Sequence, residues 1–299
     1  MESWRDLSPQ TWRRWSETAR RQAQFGRLPP YIPQLQAADP RAWALWVGDG
    51  NQTLYSEGEA TLFSLMSVVK PFVLLYLFSL YPEETIRQWV GFEASPYPYY
   101  SLAQLQADGG FPRNACLNSG AITLADKLPG ADPEERIKQF QDWIGSHVRI
   151  ALTSDTELLH SVEATPNPRN RALVELLTET GHLDDPPAAL ATYNRLCCLG
   201  TTAPGLGSLA RLLLPGSSLL GTEKVRQTLE VAGLYEQSPD YTRRWGWLCK
   251  SGVSGAWLAL APEGDLALVC YSPPLSPDGH SLAALTLMTE VHQSSLFTH

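Results

Sequence analysis

The run Leu62-Phe63-Ser64-Leu65-Met66-Ser67-Val68-Val69-Lys70-Pro71-Phe72-Val73-Leu74-Leu75-Tyr76-Leu77-Phe78-Ser79-Leu80 is apolar almost throughout, yet a lysine sits inside it. The apolar stretch after Lys70 ends near Leu80, short of the ~20 residues that cross a bilayer, so it reads as a buried helix. In a helix Ser67 and Lys70 project from one face a single turn apart. A serine hydroxyl becomes a nucleophile when a neighbour removes its proton, and burial among apolar side chains lowers a lysine pKa enough to do so. Lysine is scarce here: Lys70, Lys127, Lys138, Lys224 and Lys250 are the complete set, against 23 basic residues in all. A rare charge in a core-like run points to a functional partner. The competing reading is a chance Ser/Lys spacing, since such short motifs are frequent.

At 299 residues and 43% hydrophobic, the chain is long enough for one large domain or two modest ones. A net charge of -8, with pI near 5.3, gives no electrostatic basis for binding nucleic acid. The N-terminal residues lead into an arginine-rich segment without the apolar core of a secretion signal, so a cytoplasmic location is expected. Cys116, Cys197, Cys198, Cys249 and Cys270 are odd in number and form no Cys-x-x-Cys pair, which fits reduced thiols. The histidines show no zinc-binding spacing. Asn51-Gln52-Thr53 has the form of a glycosylation sequon but reads as a turn in this context.

Outward from the opening run, Ser8 caps and Pro9 starts a first helix whose stripe is Trp12, Trp15, Ala19 and Ala23, with Gly26 as its stop. Tyr31-Ile32-Pro33-Gln34-Leu35 should be extended. Trp43 to Val47, a turn over Gly48-Asp49-Gly50-Asn51, and Thr53 to Tyr55 read as strand, turn and strand. Helices are expected over 133–144, 169–180, 188–198, 207–214 and 281–292. Trp245 to Cys249, Ala256 to Ala261 and Leu266 to Tyr271 have strand composition, with a tight turn at Pro262-Glu263-Gly264-Asp265. Strands at both ends around a helical middle imply an α/β fold of the α+β type, an antiparallel sheet flanked by helices. Residues 1–80 and 219–299 would form the sheet-and-helix domain, with 81–218 inserted as a helical subdomain.

The ordered set Tyr31-Ile32-Pro33-Gln34-Leu35, Ser67-Val68-Val69-Lys70, Pro112-Arg113-Asn114, Asn118-Ser119-Gly120-Ala121, Glu163 with Asn170, and Lys250-Ser251-Gly252-Val253 resembles the serine-dependent glutaminase family. That family is related to the β-lactamase and penicillin-binding fold, and the resemblance runs from about Gly26 to the C-terminal helix. It implies Ser67 as the nucleophile toward the side-chain amide of L-glutamine and Lys70 as its base. It further implies the backbone N–H groups of Ser67 and Val253 as an oxyanion hole, and Tyr235 near the departing ammonia. Glu163 would face the α-ammonium, while Tyr31, Asn118, Asn170 and Tyr193 would surround the α-carboxylate and amide. Lys250-Ser251-Gly252 resembles the Lys-Ser/Thr-Gly strand that lines the site across the wider fold; on its own it reads as an edge strand ending in a turn. Gly252-Val253-Ser254-Gly255 is not a nucleophile elbow, because that motif has one more residue between serine and the final glycine. No cofactor or metal is implied, and a homodimer or tetramer is.

The departures from the pattern lie close to the chemistry. Met66 stands where the family has glutamine, Ala115 where it has proline, and Ser119 where it has alanine; Pro96 and Tyr100 replace glycine and asparagine, and one or two extra residues precede Glu163. Glutamine hydrolysis is the leading expectation. The alternatives are a serine amidohydrolase or esterase of the same fold with another substrate, and a non-catalytic glutaminase-like binding domain.

Overall fold

The computed structural model describes residues 7–49, 52–261 and 266–294. Gly50 and Asn51 of the expected turn and sequon, and the expected Pro262-Glu263-Gly264-Asp265 turn, lie outside these residues. Eight strands are present among the described residues: β1 (Ala44–Gly48), β2 (Thr53–Glu57), β3 (Phe63–Ser64), β4 (Thr153–Ser154), β5 (Leu199–Thr201), β6 (Leu248–Ser251), β7 (Ala256–Leu260) and β8 (Ala267–Tyr271). Five form an antiparallel sheet in the order β2-β1-β8-β7-β6, so strands from both ends of the chain pair at its centre. The other three form a small antiparallel sheet, β3-β5-β4.

The central strands β1, β7 and β8 are buried on both faces, which requires a layer on each side. Strand alternation assigns those layers. Leu45, Val47, Trp257, Leu268 and Cys270 face the helices Pro9–Ala23 and Leu282–Gln293, which pack on each other. Trp12, Trp15, Ala19 and Ala23 are buried in this layer, so the first-helix tryptophans are spent on the fold. Ala44, Trp46, Ala256, Leu258 and Val269 face the opposite layer, which contains the helix Lys70–Leu80. That helix is buried from Lys70 through Phe78, as expected of a helix apolar on every side. Each fully buried leucine or phenylalanine in it contributes roughly 1.5–3 kcal/mol. Among the described residues no helix is long and apolar enough to cross a membrane.

The expected helices appear at Pro133–His147, Pro168–Glu179, Pro186–Cys197 and Leu282–Gln293, and three other segments differ from expectation. Only Ile32 is extended in the Tyr31–Leu35 stretch, as a residue before proline should be; Pro33 then opens a short helix, Pro33–Gln36. The helix expected over 207–214 lies earlier, at Ala203–Ala210, where the Thr202 side chain accepts from Gly205 N–H and Pro204 occupies the first turn. Trp245 does not begin a strand but ends the helix Ser238–Trp245. Gly246, at φ 73°, supplies the left-handed residue that stops it, and the strand begins at Leu248.

Candidate active site

β3 hands the chain to a 3-10 turn, Met66–Val69, which runs directly into the helix beginning at Lys70. Ser67 and Lys70 therefore occupy successive turns of one rigid segment, and both are buried. Met66 carries φ 45°, and Tyr235 carries φ 60°; among the described residues these are the two non-glycines with positive φ. Such backbone costs of order 1–3 kcal/mol and survives where the surroundings enforce it, typically at functional sites.

Lys70 Nζ donates to the Cys116 carbonyl at 2.7 Å and to Asn118 Oδ1 at 2.9 Å. Burial lowers its pKa, and the nearby Lys250 charge acts in the same direction against an opposing pull from Tyr235. Asn118 is the hub of the floor: its Oδ1 also accepts from the Tyr193 hydroxyl at 3.1 Å, and its Nδ2 donates to Asn170 Oδ1 at 2.9 Å. Three residues distant in sequence, Lys70, Tyr193 and Asn170, are thus held by one amide. The Tyr235 phenol lies against Ser67; burial raises its pKa, while the Lys70 charge and the hydrogen bond from Ser67 oppose that rise.

β6 closes the other side. Lys250 shares a face with Leu248, the face toward the Lys70 helix, while Ser251 points to the opposite face and meets His280 Nδ1 at 2.8 Å. Lys250 Nζ donates to the Ser251 carbonyl at 3.0 Å, and burial pulls its pKa down to about 8. Beyond it, Gly252 presses on the 3-10 turn that carries Ser67: a Cβ there would stand 2.5 Å from the Leu65 carbonyl oxygen and 3.3 Å from Met66 Cβ. Ser254 Oγ donates to the Ser64 carbonyl at 2.7 Å. These contacts tie the chain on both sides of Val253 to the segment around Ser67, and Ser67 and Val253 line one cleft of about 350 Å³. Tyr31, Met66, Asn118, Asn170 and Tyr193 line the same cleft. A larger open hollow of about 860 Å³ lies elsewhere, where Lys224 pairs with Glu83 at 3.5 Å; it contains no nucleophile beside a base.

A family model described as Glutaminase matches residues 26–298. The chain belongs to the glutaminase family. Over 291 residues it is 44% identical to a glutaminase of Synechocystis sp., with 96% of this chain and 89% of that protein covered. It is 31% identical over 286 residues to a glutaminase of Shewanella baltica, covering 90% and 91% of the two chains. Two solved structures share the fold: the probable glutaminase YbaS superposes with TM-score 0.83 at 24% identity, covering 95% of this chain and 98% of that one. A probable glutaminase from Bacillus subtilis, complexed with 6-diazo-5-oxo-L-norleucine, gives 0.82 at 22% identity with 97% and 95% covered. The antiparallel sheet flanked by helices is the β-lactamase-like architecture of these glutaminases.

In this glutaminase-family chain the structure brings Ser67, Lys70, Asn118, Asn170, Tyr193, Tyr235 and Val253 together, with Tyr31 half-exposed at the rim. Glu163 is not among them. It lies at the end of the helix Thr156–Ala164 with its side chain exposed, paired with Arg195 at 3.2 Å. Sequence reasoning missed Tyr99, whose ring lies 4.6 Å from that of Tyr235, and Arg169, whose guanidinium stacks 3.9 Å over Tyr100 at the cleft wall. The aromatic run Tyr97-Pro98-Tyr99-Tyr100 was the available signal for Tyr99; Arg169 meets it only through the fold. His280 was missed without any local signal; burial drives its pKa down to about 3, so it meets Ser251 as neutral imidazole.

Proposed function

We propose that this chain hydrolyses L-glutamine to L-glutamate and ammonia through a glutamyl ester on Ser67. One observation carries the reading: Lys70 Nζ, depressed in pKa by burial, gives hydrogen bonds to two fixed acceptors, Cys116 O and Asn118 Oδ1. A neutral amine has two N–H groups, so both are occupied and its lone pair is left to accept the Ser67 proton. Ser67 Oγ then bonds to the side-chain amide carbon, and the carbonyl oxygen takes the developing negative charge. The backbone N–H groups of Ser67 and Val253 stabilise that charge. The C–N bond breaks as the nitrogen is protonated, and Tyr235, against Ser67, is placed to relay the proton from Lys70. Water, deprotonated by the same base, cleaves the ester and restores Ser67. Tyr31, Asn118, Asn170 and Tyr193 supply polar contacts to the amino acid; Glu163 meets the α-ammonium only by turning inward from Arg195.

Ammonia and glutamate release by the purified wild-type and Ser67→Ala proteins tests this. Release that depends on Ser67 supports the reading; its absence at saturating glutamine sinks it. The apolar Met66 side chain in the cleft favours a second reading, in which the same pair acts on a less polar amide or ester. A panel of amides, esters and β-lactams separates the two, since the second requires a clear preference for something other than glutamine.

The accompanying assembly and location belong to the same proposal: a homo-oligomer in the cytoplasm. The five free, buried cysteines support a reducing compartment. Sedimentation measures the assembly.

A further inference from the structure

Among the residues lining the cleft, Arg169 is the one formally charged side chain, and no carboxylate joins it. A free amino acid presents an ammonium as well as a carboxylate, and a buried ammonium needs an anionic or strongly polar partner. Glu163 is the nearest carboxylate in sequence to the cleft wall, because Val162 and Thr165 on either side of it line the cleft. Its side chain is turned away, to Arg195 Nη1 at 3.2 Å. Arg195 sits on Pro186–Cys197, the helix that also carries Tyr193, and donates from Nη2 to Glu134 at 2.9 Å.

We propose that Arg195 is a positioning residue that latches Glu163 outside the cleft, so that the substrate α-ammonium competes with Arg195 for one carboxylate. This rests on the glutaminase reading above. The pair is partly exposed, 24% for Arg195 and 41% for Glu163, and such pairs are weak and screened by salt. Glu134 makes the exchange inexpensive: when Glu163 turns inward, Arg195 keeps a second carboxylate and no charge is orphaned. Arg195 therefore sets affinity for amino acids with a free α-ammonium, while Ser67 and Lys70 are untouched by it.

The test measures L-glutamine binding by calorimetry in the Ser67→Ala protein, where no turnover occurs, at low salt and near 1 M sodium chloride. Arg195→Met should tighten binding about two- to fivefold at low salt, the range an exposed ion pair supplies. Salt should tighten binding to the Arg195 form by a similar factor and leave the Arg195→Met form nearly unchanged. Adding Glu163→Gln to Arg195→Met should remove the gain, and Arg195→Lys should retain part of the latch. Unchanged or weaker binding in Arg195→Met, or a gain that survives Glu163→Gln, overturns the proposal. The salt series on the Arg195 form involves no change at the latch, so misfolding of a variant cannot mask the answer: affinity unmoved by salt also overturns it. Absence of Ser67-dependent ammonia release overturns the glutaminase reading instead, and glutamine binding to no form overturns both.

Discussion

Lys250, on β6, carries its ammonium 4.2 Å from the centroid of the Tyr235 ring. Lys70 Nζ is 5.9 Å from the same centroid, so two buried amines share one phenol. Ring and hydroxyl have separable parts here: the π face meets the two amines, and the hydroxyl meets Ser67. Tyr235→Phe keeps the first and removes the second. We expect kcat for glutamine to fall roughly a hundred- to ten-thousand-fold, the range of a lost general acid. Stability should change by about 1 kcal/mol, one hydrogen bond. Steady-state kinetics with thermal unfolding checks both; a kcat within a few-fold of wild type removes Tyr235 from the chemistry.

Lys250 is fully buried with its pKa lowered from 10.5 to about 8. Below pH 8 both folded and unfolded chains hold this proton, and the full cost of burying the charge falls on the folded state. Between pH 8 and 10.5 the folded chain releases the proton first, so this contribution to stability rises with pH. Lys250→Met should therefore stabilise the protein by about 1–3 kcal/mol at pH 7 and by progressively less toward pH 10, while activity drops. Urea unfolding at several pH values measures the trend; a constant difference between the proteins across that range contradicts it.

Much of the fold was legible because its signals are local. The Trp12, Trp15, Ala19 and Ala23 stripe is periodicity read directly, while the apolar run after Lys70 and the strands β1, β7 and β8 were read from local composition. Trp245 and Trp247 looked like strand residues, but the glycine between them adopts φ 73° and divides a helix from the strand that follows. Composition does not distinguish a helix-ending glycine from one in a strand. Ser67 and Lys70 were visible because they are neighbours in sequence. Asn118, 48 residues from Lys70, and Asn170, 52 beyond that, are joined by hydrogen bonds that no spacing encodes. The orientation of Glu163 depends on Arg195, 32 residues away, and is a tertiary fact as well.

Met66 lines the cleft immediately before Ser67, with its backbone already in the left-handed region. Glutamine, the residue that the family resemblance implies at this position, is unbranched at Cβ and nearly the same length, so Met66→Gln adds an amide without a new backbone demand. One further hydrogen bond to a charged substrate group is worth about 1.5–3 kcal/mol. KM for glutamine should fall roughly ten- to a hundredfold, with kcat moving less. An unchanged KM would show that substrate does not reach this side chain.

Gly252 and the Leu65 carbonyl leave no room for a side chain: a Cβ would sit 2.5 Å from the oxygen. Gly252→Ala must push β6 away from the turn that carries Ser67, and the Val253 N–H with it. We expect kcat to fall about a hundred- to a thousandfold, the cost of losing one oxyanion donor, and stability by about 1–3 kcal/mol. Gly109, where a Cβ would meet nothing within 4 Å, provides a glycine position away from the cleft as a control, although its φ of 65° adds backbone strain. Equal loss of kcat in Gly109→Ala and Gly252→Ala would discount the oxyanion argument.

Asn118→Asp probes the protonation state of Lys70 itself. The substitution preserves size and places a carboxylate oxygen where Oδ1 now accepts from Nζ at 2.9 Å. An opposite charge at that range raises a lysine pKa by about 1–3 units, against the lowering that burial now produces. Asn170 can turn its amide to donate to the new carboxylate, so the floor need not collapse. If Lys70 works as a free amine, kcat/KM for wild type rises with pH as the ammonium loses its proton, at a pH below the 10.5 of an ordinary lysine. In Asn118→Asp the same rise should move about 1–3 pH units higher, leaving activity at pH 7 at least about tenfold lower. Asn118→Ala removes the acceptor without adding charge and should lower kcat without that alkaline displacement. A rise that stays where wild type has it would mean that Lys70 does not serve as the base, and the proton of Ser67 would need another acceptor.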